Sequence, residues 1–418
     1  MALRSLIVRE IKVALKNPAF IASLVLLFVF YVAIGGITRV GVSQAVEETR
    51  MMYMRIPVVV EENTKLVEEA LMALNASVGG GVKLYSSVDS ALAENIYVIV
   101  MRRNLTNDLL AKQKAFLRVF VKLDSLSQVA VQSRVGAVTS IASIVSEAFR
   151  EAYTKIYNLS KPPKLEVVLG EPNITLIAFG RSVSVSEVNA LTGLSIASMF
   201  LIGMVMGMTS SYAASAVAIE KSEKAFEMLL AQPIPRREVV VAKIVGAIVI
   251  AVLTGAIYIS ALLLMIILMA SPSTGTSMPG FSSSSIGIDL VASIVLIMVL
   301  GLVFSGAVGV VLGSVSQDER SAGVLSMPIT FLYIGFALAA MFVNLPANTA
   351  SAIVYGTLVV PLPHLLIVSR ISGDITPLAL GTAVSLTLCI SVIILAVEIF
   401  NRDIVILGLR LGRRRREQ

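Results

Sequence analysis

The 418 residues contain one cysteine, Cys389, one histidine, His364, and no tryptophan. A lone cysteine has no partner for an internal disulfide, and a lone histidine cannot supply the two or three imidazoles of a usual zinc site. A His-rich zinc centre is thereby excluded, any triad would have to be built on His364 alone, and no catalytic set is expected. The phosphate loop G-x-x-x-x-G-K-[ST] is absent from the sequence. ATP-dependent work would therefore fall to another chain, and no cofactor is expected in this one. Charge is scarce as well: Asp, Glu, Lys and Arg make up 15% of the residues and hydrophobic residues 56%, against about 25% and 45–50% in soluble domains.

What is present is a series of long uncharged windows. A bilayer core of about 30 Å needs about 20 helical residues without unpaired charge. The first such window is 17–38, preceded by an amphipathic stretch, 1–16, carrying Arg4, Arg9, Lys12 and Lys16. It exceeds the usual h-region of a cleaved signal, so an uncleaved anchor is expected. Further spans are expected at 191–219, 244–270, 290–313, 323–343 and 375–397. Ser271 to Ser285 reads as a Ser/Gly/Pro-rich loop. The stretch 351–369, with Pro361 and Pro363, is apolar but short of firm ends.

Basic residues decide the orientation. Four lie before the first span, five in the loop 220–243 and six in the tail 398–418. Positive charge in short loops marks the cytoplasmic side, so both termini are expected inside and the number of crossings is even. Six transmembrane helices satisfy this, with 351–369 re-entrant or interfacial. The net charge of +7 then serves mostly to orient the chain in the lipid bilayer, with no nucleic acid as partner.

Residues 39–190 are long enough for a domain and carry 17 basic and 15 acidic residues. Strand-like runs at Ile56 to Val60, Ile96 to Met101, Phe116 to Val121 and Leu165 to Leu169 alternate with helical patterns at Asn63 to Asn75 and Ser125 to Tyr157. A large extracytoplasmic α/β domain is the reading. In the longer helix Val138, Ile141, Val145, Ala148, Ala152 and Ile156 form one apolar stripe, expected to be core. The sequons at Asn75, Asn104, Asn158 and Asn173 all fall here, as an external, glycosylation-permissive location would have it.

No Asp, Glu, Lys or Arg lies inside an expected span, and Asp289 stands at the edge of one. Ion-coupled carriers place ionisable groups at membrane depth, so this pattern argues against one. Gly203, Gly207, Thr209, Ser210, Gly301, Ser305 and Gly309 are small residues of the kind that let helices approach closely.

The most informative stretch is the inner loop. Glu220 and Lys224 are spaced for an i,i+4 pair, Lys224 and Glu227 for an i,i+3 pair, and Phe226, Leu229 and Leu230 supply an apolar stripe. Pro233 and Pro235 end the helix. Arg236, Arg237 and Lys243 precede the next span. One reading is an amphipathic helix resting on the membrane surface; the other is a rigid lever that fits a groove on a cytosolic partner.

In this loop the chain resembles the membrane subunits of type-2 ABC exporters, including sodium-efflux and multidrug-efflux permeases. Their pattern is an acidic-basic pair, Glu-hydrophobic-Leu-Leu, a small residue, Pro, a basic turn and Lys. Here it is matched by Glu220 and Lys221, Glu227 to Leu230, Pro233, Arg236 and Lys243. The resemblance extends to the layout of one span, a large external domain and five further spans. It also covers the segment Val359 to Arg370 and the closing stretch Glu398 to Gly408.

The resemblance implies a coupling helix that docks on a cytosolic ABC ATPase, with ATP and Mg held in that partner. Glu220, Lys221, Glu223, Lys224, Phe226, Glu227, Leu229, Leu230, Pro233, Arg236 and Lys243 are the implied contacts. It also implies a dimer, with a second copy or a related permease, in the cytoplasmic membrane. Asp318 and Glu319, in the short loop Ser316 to Ser321, are a second candidate contact, with a polar turn as the simpler reading. His364 reads as a histidine bonded to backbone, and Arg413 to Arg416 as a topological anchor. The reading from another class is a membrane sensor or scaffold whose ectodomain binds a ligand without transport.

Overall fold

A computed structural model describes residues 18–112, 114–158, 166–168, 174–222, 256–257, 260, 287–343 and 345–401. The amphipathic stretch 1–16, the expected span 244–270 apart from residues 256, 257 and 260, and residues 402–418 of the tail lie outside the described residues.

Helix α1 (Pro18–Met54) is 37 residues long. At about 1.5 Å per residue it measures about 55 Å, well beyond a bilayer core of about 30 Å. It therefore carries the apolar window in its first part and continues as a post beyond it. After Arg55 alone the chain enters an α/β unit: β1 (Ile56–Val60), α2 (Lys65–Ser77), β2 (Val82–Tyr85), α3 (Val88–Glu94), β3 (Tyr97–Met101), α4 (Leu105–Lys112), β4 (Lys114–Phe116), β5 (Arg118–Leu123), α5 (Gln128–Ile156), β6 (Glu166–Val168), β7 (Ile174–Ala178) and β8 (Arg181–Ser184). The six-stranded sheet has the order β2-β1-β3-β5-β7-β8, and β4 pairs with β6 separately. β1 runs parallel to β2 and β3, β5 antiparallel to β3 and parallel to β7.

The central strands β1 and β3 are continuous apolar runs buried on both faces, whereas β5 and β7 alternate buried with less buried positions and β2 and β8 form the more exposed edges. Val58, Ile99, Val119, Val121 and Leu176 are all 0% exposed. α5 supplies one cover: Val138, Ile141, Val145, Ala148 and Ala152 are buried, and only Ile156 of the expected stripe is exposed. Ser127 caps α5, its hydroxyl accepting from the Ala130 N–H at 3.1 Å, and Thr64 and Ser87 cap α2 and α3 in the same way. Strands β2, β7 and β8 and helices α3 and α4 have no counterpart in the sequence reading. They are four to eight residues long, too short for a period to stand out.

β8 passes without a linker into α6 (Val185–Ser222). The remaining described helices are α7 (Ile288–Val315), α8 (Glu319–Phe342), α9 (Thr349–Leu358), α10 (Leu362–Ser372) and α11 (Thr376–Asn401). Among the described residues five helices are long and apolar enough to cross a membrane: α5, α6, α7, α8 and α11. In α5 the apolar stripe is taken up by the sheet, which leaves four such helices in the bundle beside α1.

Glycines set the bundle's register. A Cβ on Gly203 would lie 2.7 Å from the Tyr333 carbonyl oxygen, and one on Gly207 2.6 Å from the Thr330 methyl. Gly309 is pressed against the Ser210 backbone, and a Cβ on Gly313 would be 2.5 Å from the Ala214 carbonyl oxygen. Rising numbers on α6 thus meet rising numbers on α7 and falling numbers on α8, so α6 is parallel to the first and antiparallel to the second. Thr330 Oγ1 donates to the Gly207 carbonyl at 3.2 Å across the α6–α8 seam. Gly41 of α1 abuts the Phe342 backbone at the end of α8.

The stretch 351–369 folds as a helical hairpin. α10 returns to the level at which α9 begins: Arg370 pairs with Asp289 at the start of α7, and His364 Nε2 donates to the Leu345 carbonyl at 3.1 Å. The tip, Val359 to Pro361, reaches down to Gly301 of α7. Ser385 of α11 donates to the Gly356 carbonyl at 2.6 Å. Both ends of the hairpin lie at the end of the bundle that bears the α/β unit.

Candidate functional site

The opposite end of the bundle gathers the segments singled out from the sequence. Ala214, Ala218 and Ala322 share one apolar cluster, which sets the last turns of α6 beside the first turn of α8. Ala213 and Val217 share another with Val310 and Ala396, which brings the end of α11 to the same place. Glu220 and Lys221 stand in the last turn of α6. Glu223, Lys224, Phe226, Glu227, Leu229, Leu230, Pro233, Arg236 and Lys243 lie outside the described residues.

α7 and α8 are joined by Ser316, Gln317 and Asp318 only. Asp318 is the N-cap of α8: its carboxylate accepts from the Ser321 N–H at 2.8 Å, while Ser321 Oγ accepts from the Asp318 N–H at 3.1 Å. Two otherwise unpaired helix-end donors are satisfied reciprocally, and the negative charge complements the helix N-terminus. Ser316 Oγ donates back to the Gly313 carbonyl at 2.7 Å. The turn is rigid, and its residues Gln317 to Arg320 are exposed. Asp318 is thus committed to the cap, whereas Glu319 projects from the first turn of α8. The Asp-x-x-Ser spacing is a cap signal that the sequence carries openly.

Around 40 Å separates this end from the other by the length of α7, at about 1.5 Å for each of its 28 residues. At that far end the α/β unit exposes Asn75, Asn104 and Asn158. Asn104 and Asn158 sit at φ 70° and 49°, a left-handed conformation asparagine tolerates better than most residues. Asn173 lies outside the described residues. An open, mostly apolar groove runs between α1, α2 and α5, lined by Val46, Tyr53, Met54, Val78 and Ile144, with Arg50 at its edge.

Two features of this end escape sequence reading. Arg370 and Asp289 are 81 residues apart, and Arg134 and Glu48 are 86 apart; neither pairing has a local signal. By contrast, the small residues Gly203, Gly207, Gly301 and Gly309 do mark close approach, as their spacing on apolar helices implies.

A bundle of apolar helices joined to an α/β unit defines a polytopic membrane protein. The profile of the ABC-2 family transporter proteins matches residues 18–400, and the chain belongs to that family. It is an ABC-2 type permease subunit; such subunits are generally not enzymes, and membership implies an ABC ATPase partner and a membrane setting. No curated protein and no solved structure matches the chain.

Proposed function

We propose that this chain is the permease of an ATP-driven exporter, moving a substrate out of the cytoplasm when a separate ATPase docks on the loop 220–243. The observation that carries the reading is the convergence of Glu220 and Lys221, the capped turn 316–321 and the last turn of α11 at one end of the bundle, away from the α/β unit. A partner pressing on that end would act on α6, α7, α8 and α11 at once. The polar segments there are also the ones flanked by basic residues, which favours a cytoplasmic position.

In this arrangement the chain crosses the membrane six times with both termini inside, and 351–369 dips in and returns. The α/β unit stands outside, and two permeases, identical or related, assemble on two ATPases that hold ATP and Mg. Nucleotide binding draws the loop inward and shifts α6 against α7 and α8.

The test is copurification. The tagged full-length chain should bring down an ATPase, and Phe226→Asp with Leu229→Asp should abolish that association while the protein stays folded and in the membrane. An ATPase that binds and turns over regardless of those substitutions overturns the reading, as does the absence of any ATPase partner, which a sensor or scaffold would show.

A further inference from the structure

The tip of the α9–α10 hairpin is built on an unusual backbone. Val359 has φ 64° and ψ −44°, and the Val360 N–H donates to the Leu358 carbonyl at 2.7 Å. These are the marks of a classic γ-turn, rare and strained for any L-residue. For a β-branched one the branch at Cβ worsens the clash. Among the described residues the other non-glycine positions at positive φ are Asn104, Asn158 and Phe179, all in the α/β unit. Val359 is the one placed inside the bundle.

Strain of this kind persists only where the surroundings impose it. Val359, Val360 and Leu362 are each 0% exposed. A Cβ on Gly301 would stand 3.5 Å from Val359 Cγ1 and 2.8 Å from Met206 Sδ, so the valine is seated against Gly301 of α7 beside Met206 of α6. The base is fastened separately, by Arg370 on Asp289, and the Arg181 guanidinium lies close against Gly373 at its end.

We propose that the α9–α10 hairpin is a two-position element. Its tip is pressed into the strained turn by α6 and α7 when they are close, and it relaxes when they part, so that Val359 reports their spacing. The Asp289–Arg370 pair holds the base, which confines the change to the tip. The purpose of such a device rests on the transport reading; its existence does not.

Amide hydrogen exchange at residues 359, 360 and 362, followed in the full-length protein in lipid nanodiscs without ATPase or substrate, tests it. Val359→Ala and Val359→Gly both remove the packed side chain, but only glycine accepts this backbone without strain. The tip of Val359→Gly should therefore exchange about tenfold more slowly than that of Val359→Ala. Equal rates, or slower exchange in the alanine variant, overturn the proposal. Gly309→Ala, which wedges α6 from α7 about 12 Å below Gly301 by the 1.5 Å helical rise, should speed exchange at the tip about tenfold. An unchanged tip in a Gly309→Ala protein with a lowered melting temperature removes the link to helix spacing. A failed ATPase copurification would leave both measurements meaningful.

Discussion

Arg134, on α5, holds Glu48, on the post of α1, through two nitrogens: Nε at 3.1 Å and Nη2 at 3.0 Å from the same carboxylate oxygen. Its remaining nitrogen, Nη1, donates to the Lys122 carbonyl of β5 at 2.7 Å. The Arg134 side chain is 5% exposed, so three elements meet on one buried guanidinium. Tyr97 adds a second tie, its hydroxyl donating to the Met52 carbonyl at 2.7 Å.

Removing that guanidinium should loosen the post from the α/β unit. Arg134→Met leaves Glu48 without its partner, but Glu48 is 29% exposed and recovers some hydration. The expected loss is about 2 kcal/mol, below the 3–5 kcal/mol of a fully buried broken pair. Thermal unfolding of the purified protein checks it, and a loss below about 0.5 kcal/mol, the range of ordinary surface changes, would contradict the role given to this contact.

Glycines of the bundle and of α5 should respond in opposite directions. Gly313→Ala brings a methyl within 2.5 Å of a backbone carbonyl on α6; overpacking of this kind costs about 1–3 kcal/mol. Gly136, exposed on α5, has nothing within 4 Å of an added Cβ, and Gly136→Ala should stabilise by about 0.5–1 kcal/mol through the unfolded chain. Denaturation midpoints of the two variants measured side by side separate close packing from helix propensity.

These contrasts show how far the sequence could be read. Uncharged windows and small residues locate the apolar helices because a bilayer core tolerates little else. The stripe on α5 locates the core of the α/β unit because period and burial coincide from Val138 to Ala152. Short strands such as β8 and ties such as Arg134–Glu48 or His364–Leu345 depend on partners tens of residues away, which no window contains. At the candidate docking end the loop motif is legible as a pattern of charges and prolines, whereas its neighbours in space, Glu319 and the end of α11, emerge only from the packing of Ala218 on Ala322 and of Val217 on Ala396.

Asp318 offers a test of cap against contact. Asp318→Ala should destabilise α8 by about 0.5–2 kcal/mol, the usual loss on removing an N-cap. Asp318→Ser keeps a capping oxygen and discards the charge. Near wild-type melting and unimpaired ATPase association in Asp318→Ser would mark the residue as a cap alone, and lost association with normal melting would show that the partner reads its charge.

The pH response of the α/β unit has a defined sign. Lys83 Nζ lies 2.6 Å from Glu94 Oε2, to which the Tyr85 hydroxyl also donates at 2.9 Å. The hydrogen bond from Lys83, then that from Tyr85, holds Glu94 below the usual carboxylate range, and the bond to Glu94 raises Lys83. The stabilisation is therefore present above the ordinary carboxylate pKa near 4.5 and fades as pH falls through the depressed folded value. It fades again as pH rises past the lysine. Both groups are solvent-exposed, so the effect is small and salt-sensitive. Glu94→Gln should melt slightly below the parent at pH 7 and converge on it as the pH is lowered through the depressed folded value of Glu94, as calorimetry across the acid range would show.

Orientation can be settled by labelling. In a Cys389→Ser background, Met72→Cys, at a position 64% exposed on α2, should react with an impermeant maleimide on intact cells, and Gln317→Cys only after permeabilisation. The reverse pattern would turn the whole assignment upside down.

One residue, Arg55, separates α1 from β1, and none separates β8 from α6. With two unbroken helices entering it, the α/β unit has no hinge on which to swivel and behaves as a mast stepped in the bundle. A tilt of roughly 10° at the foot of a rod of about 55 Å, the length of α1 at 1.5 Å per residue, sweeps its head by roughly 10 Å. Small rearrangements among the bundle helices are thereby written large at the head of the α/β unit, where a pair of dyes, one on that unit and one in the bundle, could record them.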